Sequence, residues 1–308
     1  MKILITGGFG YLGENLAEFL KEKGHDIIIF GTRYNEERKV KYQKYKIHIG
    51  DILSKTDLEK ACKNVDCIIH LAALSHPETC KKDPLLALKI NGFGTKNVLE
   101  VGEINKIKKF IYISSSQVYG NIEGEITERT LTEPSNDYGI TKFAGELYCK
   151  QFNKKIDYTI LRLSNIYGPP ILNGGWNPVV NDLCKQCYKN KEIILKSKGE
   201  QKANFVNIND LDQAINIILS EKSEKTKGEI FNVGGHETIS ILELSNMIIK
   251  IYKENYKKNI KLIIPKDAEY KKSFEFNYNF NKIKSFGYIP RVSLKEGITN
   301  IFRELEGN

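Results

Sequence analysis

The first half of the chain alternates short apolar runs with longer segments in which apolar residues recur at helical spacing. Such runs predict buried strands, and the spacing between them predicts amphipathic helices. The predicted strands are residues 2–6, 26–30, 46–49, 67–71, 109–114 and 158–163, and the predicted helices lie near 12–23, 56–63, 84–105 and 138–154. This alternation predicts an α/β fold, a Rossmann-type doubly wound parallel sheet with right-handed crossovers.

The pattern becomes less regular after residue 168. Predicted helices cover 179–190, 210–220 and 240–254, and predicted strands cover 193–195, 203–206 and 228–233. We predict a dinucleotide-binding domain of residues 1–168 plus about 205–232, and a smaller C-terminal substrate-binding lobe of residues 169–204 plus 233–308.

A glycine-rich segment follows the first predicted strand and precedes the first predicted helix. Its glycines Gly7, Gly10 and Gly13 are spaced three residues apart. This spacing allows a tight turn, lets the backbone approach a pyrophosphate and directs a helix N-terminus towards it. The position between a strand and a helix supports a dinucleotide-binding loop. The candidate cofactor contacts in this loop are Gly7, Phe9, Gly10, Tyr11 and Leu12.

The end of the second predicted strand bears on which dinucleotide binds. NAD sites usually place a carboxylate there, which hydrogen-bonds the 2′-hydroxyl of the ribose. Here Gly31 leaves room for a 2′-phosphate, Thr32 offers a hydroxyl and Arg33 offers several donors. We therefore expect NADP(H) to be favoured over NAD(H). The alternative is that Arg33 is a solvated surface charge, and the acids Glu36 and Glu37 follow it closely.

Two further strand ends supply candidate cofactor contacts. Asp51 and Ile52 follow the third predicted strand, where they could meet the adenine. Leu71, Ala72 and Ala73 end the fourth, where small residues let a cofactor lie against the backbone. Ordinary packing at the ends of strands is the alternative for both groups.

A tyrosine and a lysine four residues apart, Tyr138 and Lys142, lie in the predicted helix 138–154. Residues four apart share a helix face, so the ammonium can lower the pKa of the phenol. A tyrosine tuned in this way can pass a proton to or from a substrate oxygen. The fifth predicted strand ends in three serines, one of which could hydrogen-bond a reacting carbonyl oxygen. A surface helix and a serine-rich turn are the alternatives.

The balance of charged residues indicates which kinds of ligand or macromolecule the protein could bind. Lys and Arg number 47 and Asp and Glu number 38, which gives a formal net charge of +9. The lysines are scattered and form no basic patch, so we expect no nucleic-acid partner. A basic surface would also suit a phosphorylated cofactor and a phosphorylated substrate.

Membrane and metal sites are not expected. No run is long and apolar enough to span a bilayer, and no signal peptide precedes the first strand, so we expect a cytoplasmic protein. Cys184 and Cys187 form a single C-x-x-C motif. A structural zinc site normally needs four ligands, and no second pair is evident, so we expect no metal.

Several short motifs occur in order along the chain. They are TGGFGYLG (6–13), HLAA (70–73), N-x-x-G-T beginning at Asn91, YISSSQVYG (112–120), YGITK (138–142), LRLSNIYGP (161–169), FVNINDL (205–211), FNVGG (231–235) and YIPRVSLKEGI (288–298). The set resembles the extended short-chain dehydrogenase/reductases, which epimerise, dehydrate, decarboxylate or reduce nucleotide-linked sugars. The resemblance covers nearly the whole chain.

This resemblance implies roles for particular residues. The family's catalytic serine or threonine falls on Ser115, and its tyrosine and lysine fall on Tyr138 and Lys142. It also implies a nucleotide-diphosphate sugar as substrate and a homodimer built from the helices near 84–105 and 138–154. Relatives that only sense dinucleotide typically lack the Tyr/Lys pair, which this chain keeps. The candidate substrate-binding residues are Ser75, Ser115, Ser116, Gln117, Tyr138 and Asn165.

The residues after Ser115 narrow the reaction. Sugar 4,6-dehydratases of the resembled family carry a glutamate at the position of Gln117. An amide cannot act as a base at neutral pH, so dehydration and decarboxylation are disfavoured.

Because no acid follows the second strand, we expect NADPH-dependent reduction of the 4-keto group of a nucleotide-diphosphate-linked 6-deoxy sugar. A GDP-linked hexose or heptose of capsule or lipopolysaccharide biosynthesis is the favoured substrate. The alternative is an NAD-dependent nucleotide-sugar 4-epimerase.

Arginines that contact the nucleotide diphosphate in many members of the resembled family are missing here. In many members an Arg-Asp pair precedes the aromatic residue that matches Phe205, and here those two positions are Ala203 and Asn204. A lysine could replace the missing arginine, although a lysine is a point charge and lacks the fork of an arginine. The candidate replacements are Lys198, Lys202, Lys271 and Lys272.

Overall fold

The computed structural model describes residues 1–34, 39–170, 177–266 and 274–307. Within them the strands are β1 (Lys2–Thr6), β2 (Asp26–Gly31), β3 (Lys46–Ile49), β4 (Cys67–His70), β5 (Lys109–Ser115), β6 (Gly124–Ile126), β7 (Asp157–Leu163), β8 (Asn165–Tyr167), β9 (Glu192–Ile194), β10 (Lys202–Asn207), β11 (Glu229–Val233), β12 (Thr238–Ser240), β13 (Lys261–Ile263) and β14 (Phe276–Tyr278).

The helices of the same residues follow in chain order. They are α1 (Tyr11–Glu22), α2 (Lys39–Tyr42), α3 (Lys55–Ala61), α4 (Pro77–Lys82), α5 (Pro84–Leu88), α6 (Thr95–Ile104), α7 (Asp137–Gln151), α8 (Val179–Asn190), α9 (Ile208–Ser220), α10 (Ser223–Thr226), α11 (Ile241–Tyr256), α12 (Asn281–Lys284) and α13 (Leu294–Gly307). In the described part of the chain, none of these helices is both long and apolar enough to cross a bilayer.

Seven of the described strands form one sheet in the order β11-β7-β5-β4-β1-β2-β3. The pairs from β3 through to β5 are parallel. In β1, Ile3, Leu4 and Ile5 are all fully buried. Continuous burial of this kind explains why the strand is an unbroken apolar run with no alternation. The predicted α/β fold with a Rossmann-type parallel sheet is confirmed.

The chain divides into two compact units. The first contains Met1–Asn121, Thr130–Arg162 and Ala214–Phe231, and the second contains Ile122–Arg129, Leu163–Gln213 and Asn232–Asn308. The predicted functional domains, with boundaries near residues 168, 205 and 232, stay a prediction.

Each unit has its own apolar core. That of the first unit joins strand residues such as Leu4, Ile28 and Phe110 to residues of α3, α6 and α7. That of the second unit is built on α8, α11 and α13. Cys184 and Cys187 are buried within this second core, so both thiols pack as small apolar side chains.

The helix predicted over 84–105 is interrupted. A π-helical turn, Lys89–Gly94, separates α5 from α6. It contains the buried Asn91, whose Oδ1 accepts the Leu74 N–H at 2.7 Å and whose Nδ2 donates to the Leu74 carbonyl at 3.0 Å. A π-helical turn carries one extra residue relative to an α-helical turn. Here it directs a polar side chain to the backbone of the segment that follows β4.

Lys109, the first residue of β5, is a buried cation. Its Nζ donates to the carbonyl oxygens of Ile218 and Glu221, each at 2.9 Å. These carbonyls lie at the C-terminal end of α9, where backbone acceptors lack partners within the helix. Burial lowers the pKa of Lys109. The lysine therefore caps α9 and ties it to the sheet.

Short strands complete the fold where the sequence pattern was irregular. β8, β10 and β12 form a three-stranded sheet, β9 pairs with β13, and β6 pairs with β14. Most of these segments contain only three residues. A run of that length has no periodicity to detect, so the sequence did not predict β6, β8, β12, β13 or β14.

Candidate active site

The loop between β1 and α1 is shaped by its glycines. Gly7 has a φ of +71°, and a Cβ atom there would lie 2.7 Å from the backbone nitrogen of Ala72. A Cβ on Gly13 would collide with the backbone of Gly8. Gly10 is the N-cap residue of α1 and has no side chain to bond the first amides of the helix. The loop therefore presents backbone to a ligand, and the residues present fit the pyrophosphate of a dinucleotide.

The neighbouring strand end packs directly on this loop. The Leu71 N–H donates to the Thr6 carbonyl at 3.1 Å, and the Ala72 N–H donates to Thr6 Oγ1 at 3.4 Å. Ala73 follows and is partly exposed, as are Leu71 and Ala72. Ser75, predicted to contact substrate, is exposed just before α4.

An aromatic cluster covers the end of β2. The Phe9 ring lies edge-on to Tyr34 and Tyr42, with centroids 5.6 and 5.2 Å apart. A Cβ atom on Gly31 would lie 3.1 Å from Phe9 Cδ2, so the Phe9 ring bounds the space that the sequence assigned to a 2′-phosphate. Thr32 and Arg33 are exposed beyond this cluster. Glu36 and Glu37 lie outside the described residues.

The segment after β3 takes part in local packing. Asp51 Oδ1 accepts the Leu53 N–H at 2.9 Å, which stabilises the turn before α3. Ile52 is buried in the first core, close to Gly94. The contact of Asp51 and Ile52 with adenine stays a prediction.

The predicted serine and tyrosine lie together. Tyr138 is at the start of α7, and Ser115, at the end of β5, is near enough to its hydroxyl to lower the pKa of the phenol. Ser115 Oγ accepts the Gln117 N–H at 3.2 Å, so its own proton is available for the phenol. Burial raises the pKa of Tyr138 to about 12, while the nearby Ser115 hydroxyl opposes this shift. The pair can pass one proton at one substrate oxygen.

The residues after Ser115 are held by the N-cap of α7. Asn136 Oδ1 accepts the Gly139 N–H at 2.9 Å, and Asn136 Nδ2 donates to Gln117 Oε1 at 2.8 Å. Ser116 and Gln117 are partly exposed. The Gln117 amide thus has a donor on its oxygen and supplies no carboxylate, as the sequence predicted.

Lys142 lies one turn after Tyr138 and is buried. Its Nζ sits 4.2 Å from the centroid of the Tyr112 ring, and the Tyr112 hydroxyl donates to the Lys142 carbonyl at 3.1 Å. Gly145 lets α7 approach this hydroxyl closely. Burial lowers the pKa of Lys142 to about 7. Burial therefore favours the neutral amine over the ammonium.

A buried histidine joins β4 to β1 and α6. Its Nδ1 lies 2.6 Å from Thr6 Oγ1, and its Nε2 lies 3.0 Å from Thr95 Oγ1. The Thr95 hydroxyl donates to the Asn91 carbonyl at 2.6 Å, so it is free to accept from the Nε2–H of His70. Burial lowers the pKa of His70 to about 3, and the charge of Lys142 adds to this effect. His70 is therefore neutral in the folded protein.

The sequence interpretation missed a buried ion pair beneath the serines. Glu146 of α7 and Arg162 of β7 are both buried, and Arg162 Nη2 lies 2.6 Å from Glu146 Oε2. The signal was present, because Arg162 interrupts an apolar strand and a buried charge needs a partner. The partner was not evident, because Glu146 is distant in sequence.

The second unit holds the remaining candidates. Asn165 Nδ2 donates to the Asn204 carbonyl at 3.2 Å, next to the pairing of β8 with β10. Asn204 is buried, and its Nδ2 donates to Gly235 O at 3.0 Å, so this position serves the local fold. Lys202 pairs with Glu275 at 2.7 Å.

The structure describes one of the three remaining candidate lysines. Lys198 precedes Gly199 in the turn between β9 and β10, whereas Lys271 and Lys272 lie outside the described residues. Among the side chains that the structure does describe, no three of His, Cys, Asp or Glu are grouped to hold a metal ion.

Comparison with known proteins finds full-length relatives. An uncharacterized UDP-glucose epimerase of Bacillus subtilis is 29% identical over 316 residues, covering 97% of this chain and 96% of the relative. The UDP-glucuronic acid 4-epimerase of Bacillus cereus, solved with UDP-glucuronic acid and NAD, is 28% identical with a TM-score of 0.87 and covers 100% of this chain and 99% of that one.

The UDP-glucose 4-epimerase of Thermotoga maritima, solved with UDP-glucose, is 26% identical with a TM-score of 0.87 and covers the same shares of the two chains. The sequence model of the NAD-dependent epimerase/dehydratase family matches residues 3–234. The resemblance to extended short-chain dehydrogenase/reductases is thereby confirmed. This chain belongs to the NAD-dependent epimerase/dehydratase family, whose members related to it act on nucleotide-linked sugars.

Proposed function

We propose that the protein is an NAD-dependent 4-epimerase of a UDP-linked hexose or hexuronic acid. The observation that carries the proposal is the placement of Ser115 near the Tyr138 hydroxyl, beside the Gln117 amide. One proton-transfer site without a carboxylate at position 117 suits oxidation and reduction at a single carbon and does not suit elimination. Similar proteins of known structure are 4-epimerases of UDP-glucuronic acid and UDP-glucose. These relatives support epimerisation better than the reduction favoured by the sequence alone.

The chain's own groups would act on the hydroxyl at carbon 4. Tyr138 takes the hydroxyl proton as carbon 4 is oxidised, and gives it back when the carbon is reduced. Ser115 donates a hydrogen bond to the same oxygen and fixes its position. Lys142, when protonated, favours the phenolate form of Tyr138. A bound nicotinamide supplies the acceptor, and later the donor, of the hydride at carbon 4.

Epimerisation also requires the oxidised sugar to rotate within the site. Hydride must leave one face of carbon 4 and return to the other, so the 4-keto sugar has to rotate between the two steps. Ser115 and Tyr138 then meet the same oxygen in both orientations, because both bond to it through a single atom. No atom is gained or lost, and the cofactor ends in its starting state.

A second candidate is the NADPH-dependent 4-ketoreductase of a GDP-linked 6-deoxy hexose or heptose in surface polysaccharide biosynthesis. One observation favours it: β2 ends at Gly31 and is followed by the exposed Thr32 and Arg33, with no acid in the position that binds the ribose of NAD. The catalytic groups would be the same, and the hydride would be delivered once.

A homodimer is also part of the proposal. Ile140 and Leu147 of α7 are each about half exposed, and they lie seven residues apart on the same face of the helix. Phe93, beside α6, is exposed to the same extent. Helices that keep apolar side chains in solvent indicate a surface covered in the assembly.

The test is product analysis of purified protein. UDP-glucose and UDP-glucuronic acid are each incubated with the protein and NAD, and the anomeric proton signals are followed by NMR. Appearance of the C4 epimer, without net change in NADH, supports the proposal. Consumption of NADPH with a 4-keto sugar, and no epimer from either UDP-sugar, would establish the reductase instead. Tyr138→Phe is the matched inactive control in both assays.

A further inference from the structure

The Glu146–Arg162 pair is buried and has good geometry. Arg162 Nε donates to Glu146 Oε1 at 2.9 Å, and Nη2 donates to Oε2 at 2.6 Å. The two side chains are 2% and 0% exposed, whereas the other ion pairs of the described chain each include a side chain at least 29% exposed. Replacing a buried ion pair by apolar residues is often neutral or stabilising, so stability alone is a weak reason for this one.

The pair joins three elements below the catalytic groups. Glu146 lies one turn after Lys142 on α7, and Arg162 is near the end of β7. Ser114, the residue before Ser115, donates its hydroxyl to Glu146 Oε1 at 2.6 Å. One carboxylate oxygen therefore accepts from both β5 and β7, and it holds the end of β5 against α7.

The position of Arg162 is itself constrained. Its guanidinium carbon lies 4.7 Å from the centroid of the Tyr119 ring. Stacking on a ring and a bidentate carboxylate contact both use the planar shape of the guanidinium, which a lysine lacks. The tether between β7 and Glu146 thus depends on an arginine.

Charge gives the pair a second effect. Burial lowers the pKa of Lys142, and the neighbouring Cys149 and the Glu146 carboxylate both oppose this lowering. The other titratable or charged groups around Lys142 and Glu146 come from several elements. They are Cys149 of α7, Cys80 of α4, His70 of β4, Tyr112 of β5, and Tyr158 and Arg162 of β7.

We propose that Glu146 and Arg162 are positioning residues of the active site, which set the Ser115–Tyr138 contact through Ser114 and place a negative charge one helical turn from Lys142. The inference rests on the proposed roles of Ser115, Tyr138 and Lys142. It has two parts. The geometric effect depends on the hydrogen bonds that Glu146 accepts from Ser114 and Arg162. The electrostatic effect depends on the negative charge of the Glu146 carboxylate.

Three substitutions separate these effects in the full-length protein. Ser114→Ala removes the tether to β5 and keeps both charges. Arg162→Lys keeps both charges and loses the bidentate contact with the Glu146 carboxylate. Glu146→Gln removes the carboxylate charge. The matched control is Asp157→Asn, since Asp157 lies on the same strand as Arg162 and forms a partly exposed pair with Lys227 at 2.6 Å.

Two readouts are used. The first is the dissociation constant of NADH from pH 5.5 to 9, followed by nicotinamide fluorescence after removal of copurified dinucleotide, which requires no sugar. We expect the affinity of the wild type to fall as Lys142 loses its proton. The second readout is kcat and KM for the UDP-sugar that the wild type turns over.

The expected results differ between the variants. In Glu146→Gln the midpoint of the NADH titration moves to lower pH by about one unit. In Ser114→Ala and Arg162→Lys the pH midpoint of NADH binding is the same as in the wild type. The value of kcat falls roughly tenfold to a hundredfold, and KM changes little. Asp157→Asn matches the wild type in both readouts. A purely structural pair would change the thermal midpoint of unfolding and leave the pH midpoint and kcat of the folded enzyme unchanged.

Several outcomes would overturn the inference. A folded Glu146→Gln protein with the wild-type pH midpoint refutes the electrostatic effect, and wild-type kcat in Ser114→Ala and Arg162→Lys refutes the geometric one. If Glu146→Gln does not fold, Glu146→Gln with Arg162→Gln removes both charges, and the same midpoint is measured. If the wild type turns over no UDP-sugar, the proposed function is wrong, and the NADH titration alone decides the inference.

Discussion

The ring of Phe9 faces Gly31 at the end of β2, where a Cβ atom would lie 3.1 Å from Phe9 Cδ2. Phe9 belongs to the glycine-rich loop, and Gly31 occupies the position where NAD-binding folds often place an acid. An acidic side chain at residue 31 would have to displace the ring. We therefore predict that these two residues together influence which dinucleotide binds.

Gly31→Asp and Phe9→Ala test this dependence. Gly31→Asp alone should gain little affinity for NADH, because the ring of Phe9 crowds the new side chain. Combined with Phe9→Ala, the same change should raise the preference for NADH over NADPH by about tenfold, through a hydrogen bond to the ribose and repulsion of a 2′-phosphate. Fluorescence titration with both nucleotides measures the ratio. An equal preference in the single and double variants would show that Phe9 does not control the site.

Arg33→Ala separates the two candidate functions. If Arg33 contacts a 2′-phosphate, its loss should weaken NADPH by about tenfold or more and leave NADH nearly unchanged. If the protein works with NAD, both affinities should stay within about twofold of the wild type, because exposed charges contribute little. The dissociation constants of the two nucleotides give the answer directly. Parallel losses for NADPH and NADH would exclude a phosphate contact.

Tyr138→Phe should abolish turnover while leaving dinucleotide affinity within about twofold of the wild type. The substitution removes the hydroxyl that exchanges the proton, and such groups contribute about 100-fold to 10,000-fold to rate. The ring, which supplies most of the packing, is retained. Steady-state turnover and NADH titration are measured on the same preparation. Full activity in this variant would contradict the catalytic assignment.

His70 should contribute to the acid sensitivity of the fold. Its pKa is about 3 in the folded protein and 6.5 is its ordinary value, so between these values the unfolded chain binds a proton that the folded protein does not. Stability is therefore lost as the pH falls from about 6.5 to 3. In His70→Gln the thermal midpoint should depend less steeply on pH in this range.

The control for His70 keeps the titrating group. Thr95→Val removes the partner of His70 Nε2 and leaves the imidazole in place. This variant should be less stable than the wild type at every pH, with the slope unchanged. If Thr95→Val and His70→Gln flatten the slope equally, titration of His70 is not its cause.

Asn91→Ala should lower stability by about 1–3 kcal/mol, because the Leu74 N–H and carbonyl lose a buried partner. Asn91 Nδ2 also donates to Thr141 Oγ1 at 2.9 Å, so the start of α7 loses a contact. Asn105→Ala, which breaks a bond within its own helix end to Val101, is the matched control. Urea unfolding measures both. Equal small losses in the two variants would show that the Leu74 backbone finds water instead.

The parallel sheet and the glycine loop could be predicted because their signals are local. Each strand of the first half is an apolar run, and the loop is defined by glycines at three-residue spacing, Gly7, Gly10 and Gly13. The same holds for Tyr138 and Lys142, which share a helix face because they are four residues apart. Local spacing was enough to predict these parts of the candidate site.

The rest depends on contacts between distant segments. Ser115 and Tyr138 meet only because β5 ends beside the start of α7, and Glu146 was not recognised because its partner Arg162 lies on another element. The π-helical turn at Lys89–Gly94 likewise holds Asn91 against the Leu74 backbone, which lies outside the turn's own sequence. Such features require the packing of the elements and not their periodicity.

Lys109 bears on the order in which the chain can complete its fold during synthesis. Lys109, the first residue of β5, is synthesised early. Its acceptors Ile218 and Glu221 emerge from the ribosome about a hundred residues later. Until then the first unit lacks its last segment, Ala214–Phe231, and the sheet lacks β11. A nascent chain that stops before residue 214 would hold a cation in an apolar setting without its acceptors. Lys109 therefore gains these two acceptors only after the whole middle segment of the second unit, Leu163–Gln213, has been made.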